Sequence, residues 1–195
     1  MMQSQQRVSP QLGLGRVLGV TVTLGLALGM TLAGLSGCSS TSQNNKDQVN
    51  VNSPADKILV KKSERKLYLL KGGQPIRSYR VSLGTSPKGH KERQGDNRTP
   101  EGVYYIDGRN AGSRFHKALS ISYPSPKDRA AAAERGVAPG GQIMIHGHPS
   151  GGPARELRDL LTGMDWTAGC IAVTNPELEE IWRLTSNGTP IEIVP

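Results

Sequence analysis

From Lys57 to Pro195 the apolar residues come in short runs broken by turn residues, a rhythm that makes the folded part of the chain mainly β. Ile58-Leu59-Val60 and Leu67-Tyr68-Leu69-Leu70 flank Ser63-Glu64-Arg65, the pattern of a hairpin. Lys71-Gly72-Gly73-Gln74 makes the next turn, and a strand follows from about Ile76 to Leu83, closed by Ser82-Leu83-Gly84. Ser86 to Arg98 is a long polar, charged loop that ends in the turn chemistry of Thr99-Pro100-Glu101-Gly102. Val103 to Ile106 is a strand stopping at Asp107-Gly108. Others lie around Ala118 to Ser122, at Ile143-Met144-Ile145 and at Pro190 to Val194.

Three short helices are expected at the margins of this single domain. Ser125 is a good N-cap, with Pro126 at the first helical position, an alanine run and Gly136 as a stop. Leu157, Leu160 and Leu161 have the spacing of one buried helix face. In the third helix Asn175 is the cap, Leu178, Ile181 and Trp182 are the buried face, and Asn187-Gly188 is the stop.

The N-terminal part has a different character. Residues 1–37 carry Arg7 and Arg16, no acid, and an apolar run from Val17 to Leu35, the pattern of a signal peptide. Leu35-Ser36-Gly37-Cys38 at its end resembles the lipobox of bacterial lipoproteins, which implies lipid on Cys38, export and a place in the cell envelope. A periplasm-facing lipoprotein, at the outer membrane, is the expectation. Residues 38–56 then form a lipidated cysteine and a polar tether. Its 18 residues from Ser39 to Asp56 reach about 60 Å at full stretch and about 25 Å as a coil.

The formal charge of the 195-residue chain is +8; without Arg7 and Arg16 it keeps 22 basic and 16 acidic side chains, a balance of +6. A basic surface suits an anionic partner. Export and the lack of any nucleic-acid motif exclude nucleic acid and favour anionic envelope material.

The chain has two cysteines, so a lipidated Cys38 leaves Cys170 without an intramolecular partner. His146 ends the apolar Ile143-Met144-Ile145 run, and Thr167-Ala168-Gly169-Cys170 is a tight turn before another apolar run. A thiol is mostly protonated at neutral pH and needs a base, for which His146 is the candidate. Attack on an amide creates an oxyanion, for which the backbone N–H groups of Gly169 and Cys170 are candidate donors. His146-Gly147-His148 with Cys170 also permits a zinc reading, though His90 and His116 lack supporting spacing.

These residues, taken in order, resemble the YkuD-type L,D-transpeptidase catalytic domain, and within it the YafK-like murein subgroup. The resemblance rests on Thr99-Pro100-Glu101-Gly102, on His146-Gly147, and on Thr167, Gly169, Cys170, Ile171 and Asn175 of the nucleophile motif. It spans Lys57 to Pro195 and implies a β-sandwich or barrel, with Cys170 as nucleophile and His146 as general acid and base. It also implies that Gly169 supplies an oxyanion N–H and that a backbone carbonyl at Gly147 or His148 orients His146. No metal or organic cofactor is implied. Thr167, Gly147, His148, Arg109 and Arg114 are candidates for substrate contact, the two arginines for stem-peptide carboxylates. The implied partners are peptidoglycan stem peptides and a wall-attached lipoprotein, with the membrane reached through the N-terminal lipid. Crosslinking or protein attachment is the expected reaction, and hydrolysis at the same Cys-His site is the alternative. The family's histidine before Gly-Cys is Ala168 here, and its arginine two residues after the cysteine is Ala172. An insert from Pro153 to Gly163 lengthens the segment between His146 and Cys170, and is expected to wall or cover the cleft.

Overall fold

The computed structural model describes residues 52–150, 161 and 163–195. The signal peptide, Cys38, most of the tether and the helix expected at Leu157 and Leu160 lie outside them. Among the described residues there are eight strands and two helices of α type: β1 (Lys57–Lys61), β2 (Lys66–Lys71), β3 (Gln74–Arg80), β4 (Gly102–Asn110), β5 (Ala118–Ile121), α1 (Pro126–Glu134), β6 (Met144–His146), β7 (Ile171–Ala172), α2 (Asn175–Leu184) and β8 (Pro190–Val194).

The strands form one sheet in the order β3-β2-β1-β8-β4-β5-β6-β7. Hairpins give the antiparallel neighbours β1–β2 and β2–β3, and the last strand, β8, inserts beside β1 in parallel register, Ile58 against Ile191. Alternation along the strands selects one inner face, where Ile58, Val60, Leu67, Leu69, Tyr104, Ile106, Leu119, Ile121, Ile191 and Ile193 are buried. Leu178, Ile181 and Leu184 of α2 bury against the same core.

The sheet curls until its ends meet. Past β3 the chain crosses over, and Ser82 and Ala172 exchange N–H···O bonds of 2.9 and 2.8 Å. The edge strand β3 thus leads directly into the partner of the opposite edge strand β7, so the mainly β, barrel-like expectation holds.

Local departures from the sequence reading each have a cause. Asp107-Gly108 does not end β4; the register shifts there by one residue and the strand continues to Asn110. The strand expected to Leu83 stops at Arg80, where its partner β2 begins: the Val81 N–H adds one more in-register bond to Arg65 O, but Arg65 has φ +52° and already belongs to the β1–β2 turn. In α2 the cap is Thr174, not Asn175: the Glu177 carboxylate accepts both the Thr174 N–H (2.9 Å) and its hydroxyl (2.7 Å). The helix stops at Leu184, short of Asn187-Gly188, since Thr185 is extended and its hydroxyl returns to Ile181 O. In α1 the expected Ser125 cap forms reciprocal bonds with Asp128, and Gly136 follows the helix with φ +66°.

The polar loop from Ser86 to Arg98 is built around two buried cations. Lys62 Nζ donates to Gly89 O, Thr99 O and Glu101 Oε1 at 2.6–2.9 Å. Lys91 Nζ donates to Asp96 Oδ1 at 2.7 Å, and Asp96 also accepts the N–H groups of Glu92, Arg93 and Arg98. Burial opposes the charge on Asp96, but these four bonds outweigh it and hold the carboxyl at about 2. Thr99 is fully buried and its hydroxyl accepts the Gly84 N–H at 3.1 Å. A Cβ on Gly84 would lie 2.0 Å from Asn97 O. Gly84→Ala should therefore destabilise the fold by about 3 kcal/mol, through forced backbone movement. Gly112→Ala, whose Cβ would meet nothing nearer than 3.8 Å, should stay within about 0.5 kcal/mol when the two variants are compared by urea unfolding.

Candidate active site

The site lies where β6 and β7 run side by side. Their parallel register sets Ile145 against Ile171 and His146 against Ala172. Paired residues point to the same side, so Ile145 and Ile171 enter the core while His146 and Ala172 face the other way. One step back along each strand, Met144 and Cys170 share that second face. Cys170 and His146 are thus diagonal neighbours, about 5 Å apart across the strands and about 7 Å along them.

His146 is buried, and its Nδ1 lies 2.7 Å from Gly147 O. A carbonyl only accepts, so Nδ1 carries the proton and Nε2 presents a lone pair. Phe115 packs on the ring with centroids 4.6 Å apart, and Trp166 meets it edge-on at 5.6 Å. Burial lowers the pKa of His146; the Gly147 carbonyl opposes this, while His148 and Arg114 reinforce it. The imidazole is neutral at neutral pH.

The Cys170 thiol points to Gln142 O, 3.5 Å away. Burial raises its pKa against the pull of the Met144 backbone and the Lys91 ammonium. The resting pair is therefore a thiol and a neutral imidazole, not an ion pair. Gln142 has φ +55°, which turns the chain so that its carbonyl reaches the sulfur.

Thr167 fastens the nucleophile turn. Its hydroxyl donates to Cys170 O at 2.7 Å and accepts the Gly169 N–H at 3.1 Å. The Gly169 N–H, expected as an oxyanion donor, is thereby engaged, which leaves the Cys170 amide as the candidate donor. Gly169 has φ +128°, and a Cβ there would lie 2.6 Å from Arg98 O, so the loop fastened by Asp96 supports the turn from beneath. Thr167 also donates from its N–H to Leu83 O. Arg65 grips Asp165 with Nε and Nη2 at 2.7–3.1 Å, and Asp165 Oδ1 accepts the Leu83 N–H.

The other residues expected to touch substrate divide by location. Gly147 and His148 are buried, and the His148 N–H donates to Asn175 Oδ1; both build the site. Arg109 does not face it. Its guanidinium donates to the carbonyls of Trp182 and Thr185 and stacks 4.0 Å from the Trp182 ring, which caps the end of α2. Arg114 is exposed and lies 4.9 Å from the Phe115 ring, close enough to His146 to affect its charge. Of the two arginines expected at substrate carboxylates, it is the one beside His146. Sequence reasoning missed Phe115, Trp166 and Gln142. Aromatic scarcity was the available signal: the only phenylalanine and one of two tryptophans flank His146.

The zinc reading finds no support in this arrangement. His90 bonds Asp128 and the Glu101 N–H, and His116 pairs with Glu179. Among the described residues no three His, Cys, Asp or Glu side chains gather as metal ligands would. A groove of about 530 Å³ adjoins the nucleophile turn, lined by Lys91, Gln94, Gly140, Gln142 and Ala168. Ala168 occupies its wall where the family's second imidazole would stand. Ala172 is buried against Ser82. The insert from Pro153 to Gly163 lies almost wholly outside the described residues.

Residues 55–193 match the family model described as the L,D-transpeptidase catalytic domain, YkuD. The chain belongs to the YkuD family. An Escherichia coli K12 protein named "Putative L,D-transpeptidase YafK" is 34% identical over 168 residues, covering 80% of this YkuD chain and 58% of YafK. The chain thus spans under two thirds of that relative. Among solved structures, the helical cell shape determining protein Pgp2 of Campylobacter jejuni is similar with a TM-score of 0.54 and 24% identity, over 72% of this chain and 48% of Pgp2. Bd1075 of Bdellovibrio bacteriovorus gives 0.50 and 27%, with the same coverage of both chains. Pgp2, at that identity, bears on the fold alone.

Two measurements check the electrostatics and the clamp. Iodoacetamide should alkylate Cys170 roughly tenfold more slowly than free cysteine at pH 7, with the rate rising only above the ordinary thiol range. Full reactivity persisting at pH 6 would instead require a thiolate–imidazolium pair. Thr167→Val removes both hydroxyl bonds and should cost about 2 kcal/mol in denaturant unfolding.

Proposed function

We propose that this chain is a cysteine-dependent peptidoglycan L,D-transpeptidase that works through a thioester on Cys170. The observation that carries the reading is the Nδ1–H of His146 held by Gly147 O, which leaves a basic Nε2 on the same face as the Cys170 thiol. The Cys170 thiol turns from Gln142 O and gives its proton to Nε2 as sulfur attacks the carbonyl of the third residue of a stem peptide. The Cys170 amide faces the oxyanion, a contribution of about 3 kcal/mol for one such donor. Collapse breaks the C–N bond, His146 returns the proton to the leaving amine, and D-alanine departs from a thioester. The side-chain amine of a second stem, or of a wall-attached lipoprotein, then attacks the thioester and releases the thiol. Arg114, exposed beside Phe115, is the group suited to a stem carboxylate.

Hydrolysis of the same thioester is the second reading, and Ala168 favours it. Its small, exposed side chain borders an open groove at the nucleophile turn, a route by which water reaches the acyl group. The N-terminal features support a lipid anchor on Cys38 and a position in the cell envelope, facing the periplasm from the outer membrane. Palmitate labelling that disappears in Cys38→Ala is the expected result.

Incubation with defined tetrapeptide muropeptides, followed by mass spectrometry, tests the chemistry. Transpeptidation gives crosslinked dimers and hydrolysis gives only tripeptides. Cys170→Ala and His146→Gln should each reduce turnover by at least about 10³-fold. Turnover persisting in Cys170→Ala would overturn both readings.

A further inference from the structure

We propose that Asn175 is a positioning residue that fixes the tautomer of His146 through the peptide unit joining Gly147 to His148. The inference rests on the reading of His146 as the base. That peptide is hydrogen-bonded at both ends. Its carbonyl oxygen receives His146 Nδ1–H at 2.7 Å, and its N–H, pointing the opposite way across the trans plane, donates to Asn175 Oδ1 at 2.7 Å. The partner of an N–H must be an acceptor, so the carboxamide presents oxygen, not its amino group.

The two bonds act in series. An acceptor on the N–H polarises the peptide and makes its carbonyl a stronger acceptor, by roughly 10–30% per bond in such chains. A stronger carbonyl holds the proton on Nδ1, and the lone pair stays on Nε2, where the thiol proton must go. The carboxamide therefore acts on the base without touching it.

Two local features make this contact possible. Glu177 and Thr174 take over the capping of α2, which frees the Asn175 side chain from the task its place in the sequence predicts. Gly147 lets the carboxamide close in, since a Cβ there would stand 2.3 Å from Asn175 Oδ1. On its other side the Gly147 N–H is shared between Phe115 O at 3.1 Å and Lys117 O at 3.4 Å. The Gly147 backbone is thus tied to the chain entering β5 and the peptide after it to α2. The first turn of a helix becomes an outer support for the histidine.

The whole chain, purified in detergent with ¹⁵N-labelled histidine, provides the test. In the wild type the ¹⁵N shifts of His146 should report a single Nδ1–H tautomer. Asn175→Ala should admit the Nε2–H form and slow acylation of Cys170 by a carbapenem, followed by intact mass, by about 10- to 100-fold. Asn175→Asp retains the oxygen acceptor and should keep the tautomer, with acylation within about threefold of wild type. A purely structural role would not separate these variants by tautomer. If Asn175→Ala does not fold, Asn175→Ser carries the same arm, because its hydroxyl is too short to reach the His148 N–H. The proposal is overturned if Asn175→Ala or Asn175→Ser keeps the single Nδ1–H form and the wild-type rate, or if Asn175→Asp is as slow as they are. The tautomer is read without substrate, so a chain inactive on peptidoglycan would still pass or fail it.

Discussion

Two hydrogen bonds between Ser82 and Ala172 hold the architecture to its site. They join the chain leaving one edge of the sheet to the strand at the other edge, so that neither β3 nor β7 ends a simple open sheet. The same crossover continues through Leu83 and Thr85, whose backbones bond Thr167 on both sides. The nucleophile turn is therefore part of the seam. Forming the seam brings residues about 90 positions apart into one ladder, a closure of low local propensity that the buried faces of eight strands must stabilise.

Buried charge does the remaining work. Lys91 and Asp96 sit inside a loop that has little apolar side chain to bury, Lys62 reaches into it from the β1–β2 turn, and each is surrounded by hydrogen-bonding partners. Unpaired, any of them would be strongly destabilising; paired, they give a polar segment a defined shape. That shape ends in Arg98 O, which presses against Gly169. The loop's charge pattern looks like a solvated surface in sequence, yet it functions as the floor of the site.

Much of this was legible from the residues. The alternation of Ile58, Val60, Leu67 and Leu69 announced strands with one buried face, and Ser125-Pro126 announced a helix start. Cys170 and His146 stood out as candidates because a lone thiol needs a base, while the orienting carbonyl after His146 came from the family resemblance and not from the residues themselves. What stayed hidden depended on competition between neighbours. Asn175 looked like a cap until Glu177 displaced it, and Gly169 looked like a free donor until Thr167 claimed its N–H. Arg109 looked like a substrate ligand, but the open carbonyls of α2 lie nearer. Single-residue chemistry does not rank such rivals; only the assembled backbone does.

The desolvation around Cys170 has a consequence outside turnover. Peroxides and disulfides attack the thiolate, so a sulfur kept protonated beside a neutral imidazole reacts with them slowly. A thiol pKa raised by burial makes the sole cysteine of the folded domain slower than a free cysteine to form sulfenic acid or mixed disulfides. The burial that holds the proton on sulfur thus slows its oxidation as well as its attack.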